Sequence, residues 1–472
     1  MLKTPKFLTR RLKTNLSCTN NLLTRLCCVI KYHPRSSITW DEIFSSLVKT
    51  VLRFARMQNQ YLDLSIPPAD PAFTLMADFE ADHHPRKVSL IAGTYRDEYG
   101  NPWVLPSVRE AKKILSDITH EYSAIAGSPT FINLAKELVF GRSLLSRLED
   151  NAASIQTVSG TGANHLAATF LARHLRPARV LIPAQTWINH KSIWEMAGVP
   201  VAEYPYYSLA TKTVDFTGML DTLENIAETS DVVILQACAH NPTGVDLSQA
   251  QWMQVADLVR RKNLFVVFDS AYQGFATGDV NGDAWAVRHF AENILLTNKT
   301  KMAHPHRGMS MCVAQSFSKN FGLYGERVGA LHLVVPPHLS AQGACGELMA
   351  IARAEYSNPP QFGSRIVETV LGDSALRAQW ERDLETMSSR IRKMRRELRR
   401  RLEGETGLDW SRLETETGMF TYTGFDKGQV ARLRGEFHVY LLPSGRMSVC
   451  GLNESNVQYV AHAISQVLRT NI

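Results

Sequence analysis

Three short apolar runs, each closed by a polar loop, constrain the fold of this chain more than any other feature. Val180-Leu-Ile182 leads into a loop with Pro and Gln, Val232-Val-Ile-Leu235 into His240-Asn-Pro-Thr-Gly244, and Leu264-Phe-Val-Val-Phe268 into Asp269-Ser-Ala-Tyr272. Runs that are apolar at every position need cover on both faces, and helical patterns separate them, so they predict parallel strands in a sheet flanked by helices. In such sheets ligands gather where loops leave the carboxyl ends of the strands. These three loops are where a ligand site is expected.

The chain has 472 residues and 44% hydrophobic content, ample for a large core and two domains. No apolar run approaches the roughly 18 residues of a membrane span. The net charge is +7 with pI ≈ 9.0, but the first 40 residues hold eight Lys/Arg and no acid, so the excess does not describe the body and implies no nucleic-acid role. That leader is also rich in Ser and Thr, a composition shared with mitochondrial transit peptides. A transit peptide and a non-targeting arm both fit it, which leaves cytoplasm and mitochondrial matrix open. The seven cysteines show no paired spacing of a disulfide framework or zinc site, and no metal is expected.

Ile43, Leu47, Val48, Val51, Leu52 and Ala55 recur at helical spacing until Pro67, Pro68 and Pro71 break the pattern, where the compact body is expected to begin. Leu376, Trp380, Leu384, Met387, Ile391, Met394, Leu398 and Leu402 predict one long amphipathic helix. Lys393, Arg395, Arg396, Arg399, Arg400 and Arg401 flank that stripe among interspersed Glu residues and read as a solvated face.

The segment Ser316-Phe-Ser-Lys319-Asn-Phe-Gly-Leu-Tyr-Gly-Glu-Arg327 sets one lysine among hydroxyls and glycines, with an arginine eight residues on. An imine-forming lysine needs a pocket that lowers its pKa, and the hydroxyls and arginine suit a phosphate. Ser159-Gly-Thr-Gly162, placed before the helical pattern 163–171, offers a second set of amides and hydroxyls for a dianion. Asp269, at the end of a buried strand, needs a partner there, though alone it would serve equally as a helix cap. Asn241 alone would pass for a turn residue. Pyridoxal phosphate, with its aldehyde and its phosphate, answers to both the lysine and the anion-binding groups.

With these segments in order, the chain from about residue 67 resembles the aspartate aminotransferases, which are fold type I pyridoxal-phosphate enzymes. The resemblance rests on the lysine segment, Asp269-Ser-Ala-Tyr272-Gln-Gly-Phe, His240-Asn241-Pro-Thr-Gly244, Tyr356-Ser-Asn358-Pro-Pro360 and Pro443-Ser-Gly-Arg446. It implies an α/β fold in three parts: a large domain (104–385) with a mostly parallel seven-stranded sheet flanked by helices, a smaller α+β domain (66–103 and 386–472), and a basic extension (1–65). It further implies a homodimer with shared sites, acting on small amino and 2-oxo acids.

By the same resemblance, Lys319 anchors the cofactor and moves the proton at the substrate's α-carbon, and Asp269 pairs with the pyridine nitrogen. Asn241 and Tyr272 hold the ring 3-oxygen, and Trp187 stacks on the ring. Ser159, Gly160, Thr161, Ser316 and Arg327 hold the phosphate, with Tyr122 reaching in from the second subunit. Arg446 takes the substrate α-carboxylate and Arg353, again from the partner, the side-chain carboxylate. Gly93, Asn189 and Phe420 lie close by. The activity implied is transfer of the amino group of L-aspartate to 2-oxoglutarate by a ping-pong mechanism. The alternatives are a specialised transaminase for another aspartate-like or aromatic amino acid, or a non-enzymatic module.

Three departures accompany the resemblance. Gln236 stands where the family usually has histidine near Asp269, Gly325 replaces a common asparagine, and Ile91-Ala92 replaces the usual Gly-Val; each is expected to retune the pocket. The stretch 297–311 is longer than the family's connection and is expected to form a flexible surface loop, with His304 and His306 solvated.

Overall fold

A computed structural model of the chain describes residues 45, 49, 50, 64, 69–148, 150–296, 310–336 and 340–469. The leader, most of the 43–55 helical pattern and residues 297–309 of the expected loop lie outside the described residues. Met311, placed in that loop by sequence, instead opens a strand. Two compact units divide the chain, Met1–Ala69 and Asp70–Ile472, and every strand among the described residues belongs to the second.

The centre of this second unit is a seven-stranded sheet of β2 (Ala152–Val158), β3 (Val180–Pro183), β4 (Val201–Tyr204), β5 (Val232–Gln236), β6 (Phe265–Ser270), β7 (Met311–Ser316) and β8 (Val328–Val334), in the order β2-β8-β7-β6-β5-β3-β4. All pairings are parallel except those of β8, which runs against both β2 and β7. The all-apolar runs have the cause read from sequence. Side chains alternate across a strand, and here both faces are covered: Val233, Leu235, Val266, Phe268 and Val313 join one buried cluster, while Val232, Ile234, Phe265, Val267 and Cys312 join another. Helices Phe216–Ile226, Gln249–Lys262 and Trp285–Leu296 lie on the first face, and Ser159–His174 and Ala341–Glu355 on the second. The Gln249 helix starts at a reciprocal cap in which Ser248 and Gln251 satisfy each other's main-chain amides.

A smaller α+β part packs beyond the sheet. Here β1 (Val88–Ser89) pairs in parallel with β10 (Val439–Tyr440), and β9 (Phe420–Tyr422) pairs antiparallel with β11 (Arg446–Ser448). The long helix spans Ser374–Thr406, capped by Asp373 and ended by Gly407 at φ 68°. Seven of its eight expected apolar positions are buried, whereas Leu376 in the first turn is only partly so. Its arginines are engaged: Arg392 with Glu385, Arg399 with Glu403 and Glu414, Arg400 and Arg401 with Glu397. Arg395 is buried and pairs with Glu416 at 2.8 Å. Among the described residues no helix is long and apolar enough to cross a membrane.

Candidate active site

The carboxyl ends of β2, β5, β6 and β7 share one sheet edge, and the reversed strand β8 begins there. That reversal brings Arg327, just before β8, against Ser159, just after β2. The Ser159 amide donates to the Arg327 carbonyl at 2.9 Å, and Arg327 Nη2 donates to Ser159 Oγ at 2.6 Å. Both residues sit in the left-handed region, at φ 67° and 56°, a strain the surrounding structure holds in place. The approach needs glycine: a Cβ on Gly329 would fall 2.4 Å from the Ser159 carbonyl carbon, and one on Gly160 would fall 2.8 Å from Ser316 Cβ. The helix starts at Ser159 itself, so Ser159, Gly160 and Thr161 form its first turn rather than a loop before it. Amides of that turn, the Ser316 and Ser318 hydroxyls and the Arg327 guanidinium together make an anion cradle.

One cavity of about 170 Å³ joins this cradle to the loops after β3, β5 and β6, and is lined by Trp187, Gln236, Asn241, Asp269, Tyr272, Lys319 and Tyr324 as well. Lys319 Nζ lies 4.9 Å from the centre of the Tyr272 ring. Burial pushes the Lys319 pKa down and the charges of Arg327 and Arg446 push the same way, while Asp269 opposes them. Burial raises the Tyr272 hydroxyl, and the Asp269 charge adds to that. Asp269 Oδ2 meets the fully buried ring of His190 at 3.0 Å from Nε2, and His190 Nδ1 meets Thr186 Oγ1 at 2.8 Å. Gln236 is the register partner of Asp269 on the adjacent parallel strand, but its side-chain amide is engaged elsewhere. Its amide reaches Thr186 at 3.2 Å and spans the Asn241 peptide, accepting from its N–H at 2.8 Å and donating to its carbonyl at 2.9 Å.

Of the residues expected to meet the substrate, Arg446, Phe420 and Gly93 lie together. Arg446 donates to the Ile91 carbonyl at 2.8 Å, and its guanidinium lies 4.3 Å over the Phe420 ring. Its Nε is buried without a hydrogen-bond partner among the described residues, a donor set for an acceptor such as a carboxylate. Gly93 abuts Phe420, where a Cβ would fall 3.0 Å from the ring tip. Asn189 opens the Asn189–Met196 helix and is not among the cavity-lining residues. Tyr122 and Arg353 are not brought to the cavity at all. Both are exposed and line a separate open groove of about 970 Å³, where Arg353 donates to Ser357 at 2.6 Å.

Of the three departures, Gly325 does not shape the cavity: it is exposed, and an added Cβ would meet nothing within 4 Å. Ile91 acts through its main chain, which holds Arg446. Sequence reasoning misses His190, Thr186 and Tyr324, whose hydroxyl accepts from the Tyr95 amide at 2.9 Å. The four-residue spacing of Thr186 and His190 around Trp187 is the one local signal for that pair. Among the described residues no group of acids, cysteines and histidines could hold a metal.

The residues present fit pyridoxal phosphate: an anion cradle closed to any larger residue at Gly160 and Gly329, with a carboxylate for a ring nitrogen and a lysine of lowered pKa lining the same cavity.

Residues 85–464 match the family described as aminotransferase class I and II. The chain is 46% identical over 411 residues to an L-tyrosine:2-oxoglutarate aminotransferase of Aspergillus ustus, covering 84% of this chain and 76% of that one. It is 42% identical over 410 residues to the cytoplasmic aspartate aminotransferase of Schizosaccharomyces pombe, covering 85% and 96%. Among solved structures, the cytoplasmic aspartate aminotransferase of Saccharomyces cerevisiae aligns with TM-score 0.81 and 39% identity over 87% of this chain and 99% of that one. An aromatic amino acid aminotransferase of Burkholderia cenocepacia aligns with TM-score 0.80 and 37% identity over the same shares. On the shared sheet, the glycine-lined cradle and this extent of identity, the chain belongs to the class I and II aminotransferases, in the aspartate aminotransferase family of fold type I.

Proposed function

We propose that the chain is a pyridoxal 5'-phosphate-dependent aminotransferase that moves the amino group of L-aspartate to 2-oxoglutarate, yielding oxaloacetate and L-glutamate. The observation that carries it is the single cavity that joins Lys319, Asp269 and the Ser159–Arg327 cradle, with the unpartnered Arg446 Nε nearby. Bound there, the cofactor would supply an aldehyde for covalent capture of the amino group and a ring that accepts electrons from the α-carbon. Ser159, Gly160, Thr161, Ser316 and Arg327 would hold the phosphate, Asp269 would pair with the ring nitrogen, Asn241 and Tyr272 would hydrogen-bond the ring 3-oxygen, and Trp187 would stack on the ring. Lys319 Nζ takes and returns the proton at the α-carbon, which its lowered pKa suits.

Arg446 grips the α-carboxylate with parallel hydrogen bonds in a space shaped by Gly93, Phe420 and Asn189. Tyr122 and Arg353 line a groove separate from their own cavity, which supports a homodimer in which each serves the partner's site: Tyr122 the phosphate, Arg353 the substrate's second carboxylate. Purified holoenzyme given L-aspartate and 2-oxoglutarate should form glutamate. No turnover with cofactor bound would overturn the substrate assignment.

A second reading, an aromatic amino donor with the same chemistry, is favoured by the 46% identity to the Aspergillus tyrosine enzyme. Comparing kcat/KM for aspartate and tyrosine separates the two.

A further inference from the structure

Residues 91–94 run beside Arg446 with no strand ladder to hold them. The pairing of β1 with β10 continues only to Leu90, whose amide donates to the Tyr440 carbonyl and whose carbonyl accepts from the Ser448 amide, each at 2.8 Å. From Ile91 to Thr94 no hydrogen bond between main-chain groups occurs among the described residues. What fastens the segment is Arg446 on the Ile91 carbonyl, the Tyr95 amide on the Tyr324 hydroxyl, and the side chain of Ile91. That side chain is fully buried and forms a small apolar cluster with Leu75 and Tyr440, flanked by Ala72, Phe79 and Leu442. Leu75 is the one buried residue of the helix Pro71–Ala81. The C-terminal end of this helix has polar ties too: Lys87 Nζ donates to the Phe79 carbonyl at 2.8 Å, and Asp82 meets His438 Nδ1 at 2.7 Å and accepts from the Tyr440 hydroxyl at 2.8 Å. Residues 70–76 make no hydrogen bond or ion pair outside the helix and its cap among the described residues, so the apolar cluster holds them. Their start lies within electrostatic reach of the arginine. Burial lowers the Arg446 pKa, and the Tyr272 hydroxyl and the carboxylate of Asp70, the helix N-cap, oppose it.

We propose that Ile91 is a positioning residue for the substrate α-carboxylate: its side chain pins the first half of the Pro71–Ala81 helix while its carbonyl aims Arg446, so that helix and arginine are placed as one unit. A glycine, the residue usual at this place, would offer the same carbonyl but nothing for Leu75 to pack on, and would leave the unladdered segment free to turn. The large apolar residue therefore joins two attachments that a glycine keeps apart. The role toward the α-carboxylate rests on the function proposed above; the coupling of helix and arginine does not.

Ile91→Ala removes the side chain without adding the backbone freedom of glycine. In the holoenzyme, amide hydrogen exchange over 71–81 should quicken, and the dissociation constant of succinate, a dicarboxylate with no amino group to transfer, should rise about tenfold, the loss of one hydrogen bond from a charged group. Ile91→Val keeps most of the apolar contact and should restore most of both. Faster exchange with succinate affinity unchanged would make Ile91 a purely structural residue and refute the proposal. Leu75→Ala attacks the same contact from the helix and should weaken succinate alike, and because both act through one contact the double variant should be no weaker than either single one. Additive losses would also refute it. Crystals of Ile91→Ala should show the Arg446 contact with the residue 91 carbonyl opened; helix and contact both unmoved overturn the coupling whether or not aspartate is a substrate. Failure of the unmodified holoenzyme to bind succinate would instead sink the proposed function, with exchange and crystals still deciding the coupling.

Discussion

Arg446 carries its guanidinium 4.3 Å above the ring of Phe420, and the Phe420 carbonyl is held at 2.7 Å by the buried Arg395. The arginine proposed to grip the substrate thus rests on a ring whose backbone is tied to the long helix. Arg446→Lys keeps the charge but loses the planar pair of donors. It should cut kcat/KM for aspartate by roughly 10- to 100-fold, the worth of one or two hydrogen bonds to a charge, and leave the visible spectrum of the bound cofactor unchanged. Steady-state kinetics beside absorbance of the same samples checks both.

Arg395 is buried, pairs with Glu416 and donates to the carbonyls of Gly418 and Phe420. Arg395→Met strands a buried carboxylate, with only Arg412 left to it. The expected loss is about 3–5 kcal/mol of folding stability, read from urea unfolding. A loss under about 1 kcal/mol would show the pair to be replaceable.

Gly329→Ala puts a methyl 2.4 Å from the Ser159 carbonyl carbon, a main-chain atom that cannot step aside. Ser159 and Arg327 must separate, and their 2.6 Å contact breaks. Equilibrium dialysis should find pyridoxal phosphate bound at least ~10-fold more weakly, the loss of about 1.4 kcal/mol or more expected when a charge-assisted contact opens.

Burial, Arg327 and Arg446 lower the Lys319 pKa from its ordinary 10.5, and Asp269 raises it. In the apoprotein the amine should therefore become free, and covalent capture of the cofactor accelerate, at a pH below that of an exposed lysine. Arg446→Met removes a positive charge and should move the midpoint up, whereas Asp269→Asn should move it down. The unfolded chain binds the extra proton between the lowered and the ordinary value, so this lysine makes apoprotein stability rise with pH across that window. Stopped-flow absorbance against pH reads the midpoints, and identical midpoints in the two variants would contradict the electrostatic account.

Tyr122 and Arg353 line one exposed groove away from the cavity. If each serves the partner, inactive Lys319→Ala and Arg353→Asp chains, unfolded and refolded together, should recover activity, because a hybrid holds one site with both residues native. Random pairing gives roughly a quarter of the unmodified rate. No recovery with hybrids present would place Arg353 in its own subunit's chemistry.

Much of this site is legible in short stretches of sequence. The strands at 180–183, 232–236 and 265–270 follow from apolar runs, and the candidate side chains fall in their last residues, as Asp269 does, or in the loops after them, because a buried parallel strand exposes polar groups only at its ends. Asp269, Asn241 and Tyr272 stand where that pattern puts them, and Lys319 follows a strand, Met311–Ser316, that the pattern did not include. Gln236, expected to retune the pocket, lines the cavity and spans the Asn241 peptide. Gly325, expected to retune the pocket, is exposed and not among the residues that line it.

The class of chemistry and the layers of the fold are local properties: strand periodicity, glycine at close approaches and the lysine segment are all set by neighbouring residues along the chain. Which groups meet is not local. The Ser159–Arg327 contact depends on the reversal of β8, and Arg446 finds the Ile91 carbonyl across 355 positions of chain. His190 reaches Asp269 because β3 and β6 end at the same sheet edge. Such pairings depend on strand order and direction, which no local spacing encodes, so the contact between His190 and Asp269 emerges only once the sheet is assembled.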